Sequence, residues 1–282
     1  MVRPPLSWSP VDRDSATRSD ADALASAWEK ASVLVLDETG KAAVDGTSLV
    51  LVPSADAPEG ERLYLGVHDG TSLFAVLGTP PRRLGTQLRG LRELAAVLSE
   101  RDAGLLAHAV GLANWHAAHP RCSRCGAETT VAQGGSLRVC PVDGSQHFPR
   151  SDPAVIVLVT DGADRCVLGR QSSWPAGRYS TLAGFVEPGE SAEAAVVREV
   201  EEECGVVVTD VAYRASQPWP FPSSLMIGFR AVADTDATPA VQDGELEDVR
   251  WFSRDEVEAM GLTRPPAPSI AQALVAEWLA ET

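Results

Sequence analysis

The 282-residue sequence predicts an α/β protein in three parts: an N-terminal α+β domain over 1–118, a cysteine-bearing segment over 119–150, and a C-terminal α/β/α sandwich with a mixed sheet over 151–282. Three observations lead there. Short β-branched runs separated by turns precede two helical stretches. A C-x-x-C pair stands between the halves. Beyond it the order is strand, hairpin, loop, acidic helix, strand and final helix.

SVLVLD (32–37), SLVLVP (48–53), RLYLGV (62–67) and SLFAVL (72–77) read as strands of a small sheet. Helical stretches are expected from about Gln87 to Ser99 and from Asp102 to His119, where Leu105, Leu106, Ala109, Leu112, Ala113 and His116 keep helical spacing. Gly134-Gly135 and Pro265-Pro266 read as turns. Pro153 to Thr160 is a buried strand, with Arg165 to Leu168 its hairpin partner across Asp161-Gly162-Ala163-Asp164. Leu225 to Val232 is a further strand, and a last helix runs from about Pro268 to Leu279.

The stretch from Gly184 to Val206, GFVEPGESAEAAVVREVEEECGV, carries most of the chemistry. Ser191 is a plausible N-cap after the turn Glu187-Pro188-Gly189, and Gly205 a left-handed C′ residue, so a helix runs between them. Val196, Val200 and Cys204 recur at i, i+4, i+8 as an apolar stripe; Glu199, Glu202 and Glu203 converge on another face. Carboxylates that close repel unless something positive sits among them, and a hard divalent cation, magnesium or manganese, suits such oxygens. Glu190 stands ready to add another oxygen, and Arg198 to bond Glu202 across one turn. A solvated acidic helix face is the plainer explanation of most Glu clusters, but it accounts for neither Gly184 and Gly205 nor Arg198.

These residues resemble the signature of the Nudix hydrolases, G-x5-E-x7-R-E-U-x-E-E-x-G-U with U aliphatic, and every specified position is filled. The resemblance implies an α/β/α sandwich whose loop and helix hold divalent metal against a nucleoside diphosphate. Downstream, Ser216-Gln217-Pro218-Trp219-Pro220-Phe221-Pro222-Ser223-Ser224 looks like the S-Q-P-W-P-F-P-x-S array of the NADH pyrophosphatase branch. Its prolines fix φ and remove donors, so a stiff, non-helical wall carrying two aromatic rings and Gln217 is expected to face a planar base.

Among five cysteines, Cys122 and Cys125 form the C-x-x-C pair and Cys140 follows after 14 intervening residues, whereas Cys166 and Cys204 read as buried thiols. The pair resembles half of a zinc ribbon. In the NADH pyrophosphatase branch the second pair is also C-x-x-C, and here the fourth cysteine position is Asp143. The expectation is a retained structural zinc site on Cys122, Cys125 and Cys140, with Asp143 supplying an oxygen or His147 a nitrogen.

No sequence window approaches transmembrane length, and the first residues lack the apolar core of a secretory signal. Thiols arranged for metal fit a reducing cytoplasm. A net charge of −15 argues against nonspecific nucleic-acid or membrane binding, so a phosphorylated substrate must be attracted locally.

The resemblance implies further roles. Glu245, six residues before Trp251, matches an additional metal-binding Glu, and Ala183 a carbonyl on the metal. Phe148 and Phe185 match rings that sandwich adenine, contributed by different subunits of a homodimer. Ala271 matches a backbone substrate contact, and Arg92 an arginine reaching the substrate from the N-terminal domain. The expected activity is hydrolysis of the diphosphate of NADH or NAD⁺ to nicotinamide mononucleotide and AMP, extending to NAD caps on RNA. The alternatives are a Nudix diphosphatase for ADP-ribose and a noncatalytic nucleotide-sensing module.

Overall fold

A computed structural model of the chain describes residues 3–242, 244–261 and 269–281, so the Pro265-Pro266 turn and Pro268 lie outside the described residues. The chain forms two compact units. One joins the described residues up to Ser7 to Asp152–Pro218 and to the chain from Ser224 onward; the other comprises Trp8–Ser151 and Trp219–Ser223.

In the second of these units, helices α1 (Ser15–Arg18) and α2 (Ala21–Trp28, capped by the Asp20 carboxylate) precede a seven-stranded sheet. Its strands are β1 (Ser32–Leu36), β2 (Ala42–Asp45), β3 (Ser48–Leu49), β4 (Leu51–Pro53), β5 (Arg62–His68), β6 (Thr71–Leu77) and β7 (Gln87–Arg89). β1 pairs parallel with β6; the run SLVLVP is split, its first part pairing with β2 and its second with β1. Val33, Val35, Val52, Tyr64, Phe74 and Val76 form the core on which Leu24 and Trp28 of α2 pack.

The expected helix from Gln87 to Ser99 is corrected. Gln87–Arg89 is strand, paired with Ala42–Val44, and only Leu91–Leu94 (α3) is helical. Gly90, extended at φ −89°, ψ 160°, separates them, and the Glu93 carboxylate accepts its N–H at 3.2 Å. A glycine at that position weakens a continuous helix, and the open edge of β2 offers ladder bonds instead. The next helix is close to expectation: α4 (Glu100–Ala118), capped by Ser99, buries Leu105, Leu106, Ala109, Leu112, Ala113 and His116.

The cysteine segment carries a three-stranded sheet of β8 (Thr130–Ala132), β9 (Leu137–Val139) and β10 (Gln146–His147), with Gly134-Gly135 in the turn between β8 and β9. Arg138 of β9 is buried. Its guanidinium donates to the Thr129 hydroxyl and carbonyl and to His116 Nδ1, while His116 Nε2 donates to Gly135 O at 2.8 Å.

The other unit contains β11 (Asp152–Thr160), β12 (Arg165–Arg170), β13 (Leu182–Phe185), α5 (Ala192–Cys204), β14 (Val208–Trp219), β15 (Ser224–Ala233), β16 (Asp248–Ser253), α6 (Arg254–Met260) and α7 (Ile270–Leu279). The sheet order is β14-β15-β11-β12-β16, with β13 also on β11. β11 runs parallel to β15 and antiparallel to β12 and β13, so the sheet is mixed as predicted. Alternation along β11 then builds two layers: Val155, Val157 and Val159 pack with Val196, Val200 and Cys204 of α5, whereas Ile156 and Leu158 pack with Val257 of α6 and Leu274 and Trp278 of α7. This is the α/β/α sandwich.

Candidate active site and metal centre

Local sequence sets the acidic helix in place. Gly189, at φ +90°, lets the loop turn so that Glu190 N–H donates to Glu187 O and Glu187 N–H to Glu190 Oε2, both at 3.1 Å. Ser191 Oγ then accepts from Ala194 N–H, and Gly205 ends the helix at φ +69°. With Val196, Val200 and Cys204 fully buried beneath α5, its other side presents Arg198, Glu199 and Glu202.

Arg198 organises that side. Its guanidinium donates to both oxygens of Glu190 (2.9 and 2.8 Å), to Glu199 Oε1 (2.8 Å), to Glu202 Oε2 (2.9 Å) and to the Phe185 carbonyl (2.9 Å). The i, i+4 spacing predicted the Glu202 bond alone. Arg198 and the Glu187 amide hold the Glu190 carboxyl down at about 2. Both oxygens of Glu190 accept from Arg198, so the carboxylate anchors the arginine.

Glu199 lies against β13. A Cβ built on Gly184 would sit 1.9 Å from the Glu199 carboxyl carbon and 2.0 and 2.1 Å from its oxygens, so the glycine of the signature is a steric vacancy filled by the carboxylate. Burial pushes the Glu199 carboxyl above its usual range; Arg198 opposes that, and Glu202 and Glu245 add to it. Glu203 is 5% exposed, Glu202 and Glu245 are exposed, and Ala183 neighbours Gly184 on β13. Several hard carboxylates gathered around one guanidinium leave an excess of negative charge in a half-buried place. That donor chemistry fits magnesium or manganese.

The array Ser216 to Ser224 divides by orientation. Gln217 is 1% exposed; its Nε2 donates to Pro5 O at 2.7 Å and its Oε1 accepts Ile270 N–H at 2.8 Å. It fastens β14 to the start of α7, and the expectation that it faces a ligand is corrected. Ala271, next to Ile270, is buried in the first turn of α7, and Ser224 opens β15. Pro218 and Pro222 are exposed and Pro220 is buried. Trp219 and Phe221 meet edge to face, with centroids 5.0 Å apart at 72°. The Arg92 guanidinium lies 4.5 Å from the Phe221 centroid and 5.4 Å from that of Trp219. Asn114 of α4, a residue the sequence did not single out, donates from Nδ2 to Pro220 O (2.9 Å) and Pro222 O (3.3 Å). No motif signals that clamp, because its partners lie 106 and 108 residues away. Phe148 and Phe185 are 64% and 59% exposed, uncommon for rings that serve only packing.

In the cysteine segment, ligand atoms of Cys122, Cys125, Cys140 and Asp143 all lie within 4.8 Å of one another. Two equivalent turns build the group: Gly126 N–H donates to Cys122 O and Gly144 N–H to Cys140 O, both at 3.0 Å. Asp143 therefore occupies in the second turn the place of Cys125 in the first. Cys125 and Cys140 sulfurs are 3.5 Å apart and Cys122 Sγ is 3.6 Å from Asp143 Oδ2, spacings that suit a tetrahedron with Zn–S bonds of about 2.3 Å. Ser145 donates to Asp143 Oδ1 from its N–H (2.9 Å) and hydroxyl (2.6 Å), leaving Oδ2 toward the sulfurs. His147 contacts Ser145 Oγ at 3.1 Å and stands outside the four-residue group. Cys166 and Cys204 are fully buried, and burial pushes their thiols up to about 12 and about 11.

Three family descriptions match successive parts of the chain: an NADH pyrophosphatase-like rudimentary NUDIX domain over 22–115, an NADH pyrophosphatase zinc ribbon domain over 117–148, and a NUDIX domain over 150–274. The chain is 40% identical over 299 residues to the NAD-capped RNA hydrolase NudC of Mycobacterium bovis, covering 98% of this chain and 95% of that protein. It is 43% identical over 239 residues to the mitochondrial NAD(P)H pyrophosphatase NUDT13 of Homo sapiens, covering 77% and 67%. It is 44% identical over 199 residues to the NAD-capped RNA hydrolase NUDT12 of Macaca fascicularis, covering 64% and 43%. Among the described residues no helix is long and apolar enough to cross a membrane.

Proposed function

The chain belongs to the Nudix hydrolases, in their NADH pyrophosphatase branch, and on that premise we propose that it hydrolyses the diphosphate of NADH and NAD⁺ and removes NAD caps from RNA 5′ ends. The observation that carries the reading is the complete signature in working geometry: Glu199 seated in the vacancy left by Gly184 and braced by Arg198.

Water attacks one phosphorus of the diphosphate, the bond to the bridging oxygen breaks, and AMP and nicotinamide mononucleotide leave. Glu199 and Glu203, with Glu245 and the Ala183 carbonyl, would hold magnesium or manganese, which when bound neutralises phosphate oxygens and activates water. Glu202, exposed and steadied by Arg198, orients the attacking water and takes its proton. Arg198 keeps Glu199 and Glu202 aimed, with Glu190 as its counter-anchor. Trp219 and Phe221 offer rings to a base, Arg92 brings positive charge to them, and Phe148 and Phe185 hold the adenine from the two subunits of a homodimer. The remaining contacts are backbone and hydroxyl groups of Pro218, Pro220, Pro222, Ser223, Ser224 and Ala271. Zinc on Cys122, Cys125, Cys140 and Asp143 is structural, and thiolates kept for a metal favour a reducing compartment such as the cytoplasm.

Offering NADH, NAD⁺, ADP-ribose and NAD-capped RNA in parallel with magnesium or manganese, and separating the products, tests the reading. AMP plus reduced nicotinamide mononucleotide from NADH, abolished by Glu199→Gln, is the expected result. Preference for ADP-ribose would move the chain to another Nudix diphosphatase. Saturable NADH binding without cleavage would make it a sensing module.

A further inference from the structure

We propose that the arginine-rich arm of residues 79–92 is a binding surface for the phosphodiester chain of single-stranded RNA downstream of a 5′ cap. The proposal rests on the cap-removal reading and adds to it the part of the substrate that NADH lacks.

The arm is anomalous in charge. Residues 79–92 hold four arginines, Arg82, Arg83, Arg89 and Arg92, and no acid, in a chain whose net charge is −15. Screening at physiological salt acts over about 8 Å, so a polyanion close to the surface responds to the local cations more than to the distant excess of acid. A chain with this overall charge needs such a local reversal to retain RNA at all.

The arm is also presented to solvent. Between β6 and β7 the chain makes a turn in which Thr86 N–H donates to Arg83 O (3.1 Å), Thr86 Oγ1 accepts Arg83 N–H (3.1 Å) and donates to Arg83 O (2.8 Å). Gly85, at φ +90°, closes it, and Leu84 at its tip is fully exposed. Arg82 and Arg83 are exposed, and among the described residues neither guanidinium makes an ion pair, a side-chain hydrogen bond or a ring contact. Arg89, by contrast, is balanced by Glu93 at 3.5 Å. The uncompensated charge therefore sits at the tip and at the far end.

That far end is Arg92, over the Trp219 and Phe221 rings. Along one arm the chain thus combines an aromatic pair with free cations on the same unit. Stacking faces followed by positive charge are what a single strand requires, since bases stack without regard to sequence and phosphates follow the cations. The ten steps from Arg82 to Arg92 can reach at most roughly 33 Å, the scale of a few nucleotides rather than of one dinucleotide.

The test compares substrates on one protein. Arg82→Glu with Arg83→Glu is expected to leave NADH turnover unchanged while raising KM for NAD-capped RNA about ten-fold, and to flatten the salt dependence of RNA binding by about 1.4 in log–log slope, roughly 0.7 per lost phosphate contact. Arg82→Lys with Arg83→Lys keeps the charge and should keep RNA affinity. Equal losses on NADH and capped RNA would make the arm structural, and unchanged RNA kinetics would remove the proposal. So would unchanged RNA affinity accompanied by retention on anionic vesicles. If the protein cleaves no NAD-containing substrate, the functional reading fails, yet fluorescence anisotropy with a short 5′-phosphorylated RNA still measures the arm.

Discussion

Gly184 and Glu199 share one space: the Glu199 carboxyl carbon lies 1.9 Å from where a Cβ on Gly184 would be. Gly184 lies in β13 and is absent from the positive-φ glycines, so alanine suits its backbone and only the carboxylate has to move. Misplacing a reacting group by about 1 Å costs on the order of 100-fold in rate. Gly184→Ala should therefore lower kcat/KM by about that factor while the melting temperature changes little. Wild-type turnover in the alanine variant would show that seating Glu199 against β13 is of no consequence.

The metal group of the cysteine segment makes a separate prediction. Ser145 fixes Asp143 Oδ1 through two hydrogen bonds, and a group that orients a ligand from behind typically carries about 10–100-fold in metal affinity. Ser145→Ala should lose zinc to a chelator at a correspondingly lower concentration, whereas Asp143→Cys should hold it more tightly. The readout is zinc release in chelator competition, measured without substrate. Equal zinc retention in all three proteins would show that Asp143 is not a ligand.

How much of this was legible in sequence depended on distance along the chain. The acidic helix was legible because Ser191, Arg198, Glu202 and Gly205 signal one another within a few turns. Its bracing was not: Arg198 reaches back to Glu190 and Phe185, 8 and 13 residues away, only because the Gly189 loop folds over. The seating of Glu199 on Gly184 is a steric fact that a pattern cannot express. For Gln217 a signal existed. Ala215 and Gln217 are buried while Pro218 is exposed, and strand alternation would have placed the glutamine inward. For Gln87 to Ser99 the spacing of Leu88, Leu91 and Ala95 suits a helix, yet Gly90 and the edge of β2 decided the outcome.

Two histidines of α4 predict how stability follows pH. Burial, then the charges of Arg13 and Arg18, lower His108 to about 3 from an ordinary value of 6.5, and burial also lowers His116. Above 6.5 both states of the chain are neutral at these sites and the fold keeps its full stability. As pH falls below 6.5 the unfolded chain takes up protons that the folded chain refuses, so stability is lost progressively down toward the folded values. For His108 alone that is about 1.4 kcal/mol per pH unit, or roughly 2 kcal/mol between pH 6.5 and 5. Denaturant unfolding at pH 7 and pH 5 measures it, and His108→Gln should have a shallower slope. An identical slope in the variant would show that His108 protonates freely in the fold.

Asn114 ties the aromatic turn to α4 through one amide shared by the carbonyls of Pro220 and Pro222. Pro220 and Pro222 lie in the turn between β14 and β15, and Gly111, one turn earlier on α4, stands beside it: a Cβ there would make ordinary contact, 3.7 Å from Pro220 Cβ. Asn114→Ala removes both bonds without filling space, so Trp219 and Phe221 should keep their contact with each other but lose their fixed position. If those rings bind the base equally in the ground and transition states, the loss appears as uniform binding: KM for NADH rises several-fold with kcat preserved. Asn114→Asp should be worse than alanine, because a carboxylate would then face two carbonyl oxygens with no proton to share. A fall in kcat with unchanged KM would instead place the turn in the chemical step, and unchanged kinetics in both variants would remove it from substrate binding.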